Sequence, residues 1–323
     1  MRKRLLATLL AVMMVFSLLP ATAFADTGAS SSAAVAEVNG RGQYTTLADA
    51  FAAATDGDTV KLLANVSYST NVIAAVAGNN ITFDLNGFTV SFTGNAGITV
   101  KGNGTALTVT DLSGGQTGAV SVSRQYIFHT TTNSQVIIDG GIYTGKTLKS
   151  ASSGPVTING GTFNMDVAGD GVTVNAAYVV YNGTSYNYFD SWEDTAAAYA
   201  SYTENGGSAV ISQDSSNIDN TYVVEFAYGF EATSISYVLS GTVNVTAPAA
   251  PEREGFTFTG WSEGADTSYN AGAVITVSSA RKFTAQWSPV AAEQATLTFS
   301  TGEGAFADGT NTASVSVNVG AAY

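Results

Sequence analysis

VIIDGGIYTG, residues 136–145, decides how the first half of this chain folds, because its pattern returns as VTINGGTFNM at residues 156–165. Both stretches read V-x-I, then Asp or Asn, then Gly-Gly, and an aromatic residue two positions later. Alternating apolar residues are typical of a strand with one buried face. Gly after Asp or Asn lets the chain turn through a left-handed conformation. The pattern predicts short strands joined by polar corners, with a period of about 20 residues.

Three further segments share the pattern less strictly, namely ITFDLNGFTV from residue 81, LTVTDLSGG from residue 107 and VTVNAAYVV from residue 172. Such a period predicts a parallel solenoid, in which each coil buries its apolar residues only against its neighbours. We expect these side chains to point inward: Phe83, Leu85, Val136, Ile138, Val156, Ile158, Val172 and Val174. We expect Asn86, Asp139 and Asn159 to stack at one corner, and the 53 residues from Asn86 to Asp139 to contain loops that bulge from the turns.

The segment before the repeats predicts a short helix and then a strand. Thr45 or Thr46 can cap the helix, and Leu47, Ala50, Phe51 and Ala54 fall on one helical face. A helix placed there would cover the open end of the strands, which otherwise invites aggregation. Residues 181–220 contain a similar Ala-rich helical stretch, which we interpret either as a cap at the far end or as a linker.

The first 25 residues have the pattern of a secretory signal. Arg2, Lys3 and Arg4 precede the apolar run 5–19, and the A-x-A site at residues 23–25 follows it. A membrane anchor would need about 20 apolar residues, more than this run offers. We therefore expect a secreted chain from Asp26, with a flexible leader over residues 26–36 and no membrane insertion once the signal is removed.

Composition narrows the classes of partner and of chemistry. The signal carries three of the 12 basic residues, so 9 remain against 25 acidic residues, a formal charge of −16. An acidic surface argues against nucleic acid and against anionic lipid. The chain has no cysteine, which excludes disulfides and thiol catalysis. Charged residues make up only 11% of the chain, which favours strands and turns over charged helices.

Two parts of the chain resemble known families. Residues 37–180 resemble the pectin-lyase-like right-handed parallel β-helix of bacterial surface proteins. APAAPEREGFTFTGW at residues 247–261 and RKFTAQW at residues 281–287 resemble the internalin-type B-repeat. The residues that carry this second likeness are Pro251, Arg253, Gly255, Phe256, Phe258, Gly260, Trp261, Phe283, Ala285 and Trp287.

The two resemblances together imply a domain order. The β-helix over residues 37–180, with short capping helices, is followed by the cap or linker 181–220. A small β-grasp-like module would span residues 221–289, with Trp261 and Trp287 in its core. Residues 290–323 look like the first part of a second, truncated module.

Catalytic chemistry has little support in the sequence. Enzymes on the β-helix fold cut polysaccharides with clustered acids or with a basic residue and calcium, and fold alone does not grant activity. The only histidine is His129. The candidate acids, Asp84, Asp111, Asp139, Asp166 and Asp170, show no paired motif. We therefore predict no catalytic residue, no cofactor and no firm metal site, with Asp166 and Asp170 as weak calcium candidates.

The expected function is that of a secreted adhesin-like protein at the bacterial cell surface, without enzymatic activity. Its partner would be a host or microbial glycan or a surface protein, with Tyr126 and Tyr143 as candidate glycan contacts. One alternative is a polysaccharide lyase or glycoside hydrolase on the β-helix. Another is a structural spacer in a large surface protein.

Overall fold

The computed structural model describes residues 33–75, 78–131, 133–150, 154–167, 169–230, 233–264, 267–291 and 293–319. The predicted signal segment 1–25 and the leader up to residue 32 lie outside the described residues. Strands account for 48% and helices for 8%, so the chain is mostly β and the prediction of an all-β class is confirmed.

The chain divides into two compact units. The first contains the residues up to Val224, together with Ser236–Val245 and Thr276–Ala280. The second contains Glu225–Ile235, Thr246–Ile275 and the residues from Arg281 onward. Residues 236–245 and 276–280 thus lie in the first unit, whereas the sequence places them in a module over residues 221–289.

The first part of the chain is built from short strands and one helix. They are β1 (Ala36–Val38), β2 (Gly42–Tyr44), α1 (Leu47–Ala53), β3 (Thr59–Leu62), β4 (Val66–Tyr68), β5 (Val72–Ala75), β6 (Asn80–Asp84), β7 (Thr89–Phe92), β8 (Ala96–Val100), β9 (Thr105–Thr110), β10 (Ala119–Val122), β11 (Tyr126–Thr130), β12 (Ser134–Ile138), β13 (Ile142–Thr144), β14 (Thr147–Lys149), β15 (Val156–Ile158), β16 (Gly161–Phe163) and β17 (Val172–Val174).

The remaining elements complete the first unit and form the second. They are β18 (Tyr178–Tyr181), β19 (Tyr186–Phe189), α2 (Trp192–Thr203), β20 (Val210–Ser212), a 3-10 turn (Ser215–Asn217), β21 (Thr221–Ala227), β22 (Ser234–Ser240), β23 (Val243–Thr246), β24 (Phe256–Glu263), β25 (Thr267–Tyr269), β26 (Val274–Val277), β27 (Arg281–Pro289), β28 (Gln294–Ser300) and β29 (Thr312–Asn318).

Three ladders of parallel strands organise the first unit. Ladder A runs β3-β6-β9-β12-β15-β17, ladder B runs β4-β7-β10-β13-β16, and ladder C runs β5-β8-β11-β14. From β3 to β14 the chain visits A, then B, then C, in four successive passes. The fifth pass has a strand in A and in B, and its described residues form none in C.

The repeated sequence pattern forms ladder A. Its first apolar residues pair in register from pass to pass: Ile81 with Leu107, Leu107 with Val136, Val136 with Val156, and Val156 with Val172. The predicted inward side chains from Phe83 to Ile158 are fully buried. The prediction is wrong for Val174, which is 39% exposed, whereas Val172 is half-buried and packs against the core. Both lie on β17, the last strand of the ladder, so no further strand of ladder A covers them.

The polar corner after ladder A differs from the prediction at one position. Asn159 Nδ2 donates to Asp139 Oδ1 at 2.7 Å, and Asn175 Nδ2 donates to Asn159 Oδ1 at 3.1 Å. Asn86 is not part of this row of hydrogen-bonded side chains, because its amide donates to the backbone oxygen of Leu62. The interval from Asn86 to Asp139 is not a set of bulging loops either. It contains the whole third pass, β9 to β11, so the interval is long because it spans more than one pass.

Helix α1 matches its predicted start and its buried face. Thr46 is the N-cap, and its hydroxyl accepts a hydrogen bond from Asp49 N at 3.1 Å. Leu47, Ala50 and Phe51 are buried, and the Phe51 ring meets Phe83 edge-on with centroids 5.2 Å apart. At the same end of the ladders, β1 and β2 extend ladder A with antiparallel pairs.

Antiparallel strands and a second helix follow the three ladders. Strand β19 pairs with β16, β18 with β19, and β20 with β18, all antiparallel. Helix α2 begins after Ser191, whose hydroxyl accepts from Asp194 N at 3.1 Å, as the predicted second helical stretch requires. Its Trp192 ring contacts Tyr178 and Tyr237 edge-on.

The second unit packs around one tryptophan. Trp261 on β24 is fully buried, and its Nε1 donates to the Pro248 oxygen at 2.8 Å. Strand β27 pairs antiparallel with β24, and its Phe283 stacks on Phe226. Trp287 is half-buried, lies against Phe230 and Phe258, and is covered by the guanidinium of Arg253. Both tryptophans therefore serve packing.

Strands β28 and β29 form a hairpin with seven residue pairs. One face carries only apolar side chains, and Leu297, Phe299 and Val315 on it are 44–53% exposed.

Candidate functional site

A cleft of about 660 Å³ opens on the ladder C side of the first unit. It is lined by Gln125, Tyr126, Lys146, Thr147, Leu148, Lys149, Ser150, Asp166, Val167, Gly169, Asp170 and Val172. One wall is strand β14 with the start of β11, and the other wall is the segment that leads from β16 to β17. The volume falls within the range of small-molecule sites, about 300–1,000 Å³.

The cleft exists because ladder C stops one pass early. In the fifth pass the described residues of this stretch, 164–167 and 169–171, run beside β14 without forming a strand. At the start of this segment, Asn164 Oδ1 accepts a hydrogen bond from Gly145 N at 3.1 Å. Near its end, Lys149 Nζ lies 3.2 Å from the place where a Cβ on Gly171 would stand. The segment thus approaches both ends of β14, and the cleft lies between them.

Opposite charges meet in this cleft. Lys146 and Lys149 come from β14 and its preceding corner, while Asp166 and Asp170 come from the unpaired segment. Lys146 and Asp170 are exposed, and Lys149 is half-buried. Beside the cleft, partial burial and then the charge of Asp166 raise the pKa of the Tyr186 phenol. Such a site can bind a ligand through ion pairs and through hydrogen bonds to hydroxyl groups.

Of the two predicted glycan contacts, only Tyr126 lies at the surface of the cleft, and its role there stays a prediction. Tyr126 is half-buried and lines the cleft, with its ring centroid 5.7 Å from that of His129. The prediction of Tyr143 as a glycan contact is wrong, because its side chain is fully buried. Its hydroxyl donates to the Gly140 oxygen, its ring stacks on Phe163, and burial raises its pKa well above the ordinary value.

The two calcium candidates, Asp166 and Asp170, lie in the same cleft. Calcium takes about six to eight oxygen ligands in proteins. Over the ranges that the structure describes, no group of three or more His, Asp or Glu residues could hold a metal ion. Calcium binding at Asp166 and Asp170 therefore stays a prediction that rests on two carboxylates.

Of the other candidate acids, Asp139 accepts from the Asn159 side chain, while Asp84 and Asp111 accept from backbone N–H groups. Asp84 Oδ1 accepts from Asn86 N and Leu112 N. Asp111 accepts from three backbone N–H groups, including Gly118 N at 2.6 Å. These two buried carboxylates hold turns in place, so neither belongs to the cleft.

Sequence reasoning missed that the lysines share the cleft with the aspartates. Lys146 and Asp166 are separated by 20 residues, the same interval that joins Asp139 to Asn159. Residues one pass apart lie side by side, so this spacing was the signal that could have found the pair.

Searches with the whole chain add no relative. No protein-family model, no curated protein and no solved structure matches it. Among the helices that the structure describes, none is long and apolar enough to cross a membrane.

Proposed function

We propose that this chain is a secreted, adhesin-like protein of the bacterial cell surface, which binds a glycan or a surface protein without altering it. In this proposal the three ladders form a right-handed parallel β-helix, and the cleft beside β14 is its binding site. The cyclic order of the ladders and their in-register pairing support the β-helix. The signal pattern of residues 1–25 supports secretion.

The observation that carries the binding role is the convergence in one cleft of groups that recognise polar ligands. Tyr126 offers an aromatic face, Lys146 and Lys149 offer donors, and Asp166 and Asp170 offer acceptors. Aromatic faces pack against the apolar faces of sugars, and charged groups beside them fix the orientation of a ligand.

The second unit fits the role of a display module in this proposal. Burial of Trp261, one of the two tryptophans that the resemblance to the B-repeat expects in the core, supports this proposal, and the half-buried Trp287 lies against Phe230 and Phe258. Among its described residues, Arg281 pairs with Glu263 and Lys282 pairs with Glu225. We infer a small β-grasp-like module, followed by the first hairpin of another.

A retention experiment tests the binding role. The chain from Asp26 is passed over immobilised pectins, mucins and matrix proteins, and bound protein is measured. We expect retention on at least one ligand, and we expect Lys146→Ala to reduce it. Lys101→Ala is the matched control, because Lys101 is an exposed lysine of the same unit outside the cleft. Equal retention of the two variants would exclude the cleft as the binding site.

A polysaccharide lyase or hydrolase is the second candidate, and the presence of two carboxylates and two lysines in the lining of one cleft favours it. The same ligands are assayed for new reducing ends and for unsaturated sugar ends. Product that disappears in Asp170→Asn, but persists in the exposed control Asp190→Asn, would replace the adhesin proposal by an enzyme.

A structural spacer is the third candidate function, and one row of surface residues favours it. Ser67, Ser91, Ser121 and Thr144 pair in register along ladder B. Their side chains form an uncharged hydroxyl row with no hydrogen-bond partner among the described residues. Absence of both retention and product would leave this role.

A further inference from the structure

The turn between β18 and β19 holds an Asn-Gly pair, Asn182-Gly183, in an unusual set of hydrogen bonds. Asn182 Oδ1 accepts from Thr184 N at 3.1 Å and from Thr184 Oγ1 at 2.9 Å. It also accepts from Ser185 N at 2.9 Å and from Ser185 Oγ at 3.2 Å. Four donors thus converge on one side-chain carbonyl oxygen.

We propose that Asn182 is a site of self-modification, at which the Gly183 nitrogen displaces the side-chain amide as ammonia. The Gly183 nitrogen attacks Asn182 Cγ and loses its proton to water. Water returns a proton to Nδ2, the Cγ–Nδ2 bond breaks, ammonia leaves, and a five-membered succinimide remains. Water then opens one of the two ring carbonyls and leaves an aspartate or an isoaspartate. No oxidant, metal or enzyme is required.

The four donors assist the attack on Cγ. Negative charge develops on Oδ1 as the tetrahedral intermediate forms, and donors aimed at that oxygen stabilise it. Two of the donors are backbone N–H groups, which the turn holds in place before the reaction begins. The arrangement resembles an oxyanion hole that is built within one turn of the chain.

The attacking nitrogen is also accessible. No hydrogen bond of the Gly183 N–H is found within the described part of the chain, and Gly183 is exposed. Glycine lacks the side chain that would crowd the ring, and its φ of 88° is one that glycine tolerates. Nucleophile and electrophile belong to adjacent residues, so the reaction is intramolecular.

The other five Asn-Gly pairs of the chain serve as internal controls. In four of them the Gly N–H is already bonded: Gly87 to Asp111, Gly104 to Asn133, Gly160 to Ile138 and Gly206 to Thr203. In the fifth, Asn39-Gly40, the Asn39 Oδ1 accepts one recorded bond, from Thr59 N. Only at Asn182 does a Gly N–H without a recorded partner meet a carbonyl that receives four donors.

The test compares the six pairs in one protein. The chain from Asp26 is incubated in mildly alkaline buffer, once folded and once in urea, and digested. Mass spectrometry then follows the conversion of each asparagine to aspartate and isoaspartate. In urea we expect the six rates to be similar, because every pair has the same two residues. In the folded chain we expect the rate at Asn182 to equal or exceed its rate in urea, while the other five rates fall.

A second variant separates the donors from the turn itself. Thr184→Val with Ser185→Ala removes the two hydroxyl donors and keeps both backbone donors. We expect the folded rate at Asn182 to fall severalfold and its rate in urea to stay unchanged. A folded rate at Asn182 that drops as far as the rates at the other five pairs would overturn the proposal. An unchanged folded rate at Asn182 in the double variant would contradict the assistance that the proposal assigns to the two hydroxyl groups.

Discussion

Asn159 donates a hydrogen bond of 2.7 Å to the carboxylate of Asp139, which stands one full pass earlier at the same corner of the first unit. Asn175 extends the file by one more pass. Identical positions of successive passes are thus linked side chain to side chain, as well as through the backbone ladder.

This corner file predicts a measurable loss of stability. Asn159→Ala removes both of its links, so we expect the free energy of unfolding to fall by about 1–2 kcal/mol. Urea denaturation followed by circular dichroism measures the change. Thr157→Ala is the control, because Thr157 lies on the same strand and its hydroxyl has no recorded partner among the described residues. Equal losses in the two variants would show that the file contributes nothing.

The close packing around Gly118 predicts a larger loss of stability when a single methyl group is added there. A Cβ at Gly118 would stand 2.5 Å from Leu85 Cβ and 2.8 Å from Asp111 Cγ, and both neighbours are buried. Gly118→Ala therefore forces the corner apart, and we expect a loss of about 1–3 kcal/mol in urea denaturation. At Gly114 an added Cβ meets nothing within 4 Å. Gly114→Ala should leave the midpoint unchanged, and a similar loss in both variants would contradict the packing argument.

The packing around Trp261 predicts that the stability of the second unit depends on this one side chain. Its ring packs against Phe226, Tyr228 and Phe258, and its N–H is bonded to Pro248. Trp261→Ala should destabilise this unit by about 3–5 kcal/mol. Thermal unfolding and limited proteolysis would detect the change. Phe299→Ala, at an aromatic residue that is 53% exposed, should have little effect. Comparable effects of the two would refute the assignment of Trp261 to the core.

Tyr188 predicts a loss of stability in alkali. Burial, as the main cause, raises the pKa of its phenol from 10.0 to about 12. Below pH 10 the folded and unfolded states both keep the proton, so the benefit of the neutral phenol is complete. Between about pH 10 and 12 only the unfolded state releases it, so stability falls as pH rises, by about 3 kcal/mol in total.

Thermal melting across that range checks the effect, and Tyr188→Phe should make the decline shallower. The decline would not vanish, because buried Tyr143 has a pKa that is raised in the same direction. A decline of the same steepness in Tyr188→Phe would mean that other groups cause it.

Much of ladder A could be predicted from the sequence, because one local pattern recurs and the side-chain period of a strand is short. The register of Val136 with Val156, the cap at Thr46 and the helix after Ser191 all follow from residues close together in the chain. The interval between Leu107 and Val136 was harder to interpret, since its pass is longer than the one that follows.

The candidate site was predictable only in fragments. Tyr126, Asp166 and Asp170 were named one by one, and the sequence contained no reason to place them together. Tyr143 was indistinguishable from Tyr126 by residue type, because both stand on short strands beside polar corners. Whether such a ring faces the core or solvent depends on which side of its strand the residue occupies. That orientation is decided by packing against the neighbouring strands.

By itself the sequence determined the strand-and-corner repeat, the helix caps and the apolar face of each pass, because these depend on residues within a few positions of one another. The tertiary structure alone decided that ladder C ends at β14, one pass before ladders A and B. That ending opens the cleft and brings Lys146 and Lys149 together with Asp166 and Asp170. The reason is physical: a strand forms where a neighbouring strand satisfies its backbone, and residues 164–167 and 169–171 are not in strand conformation.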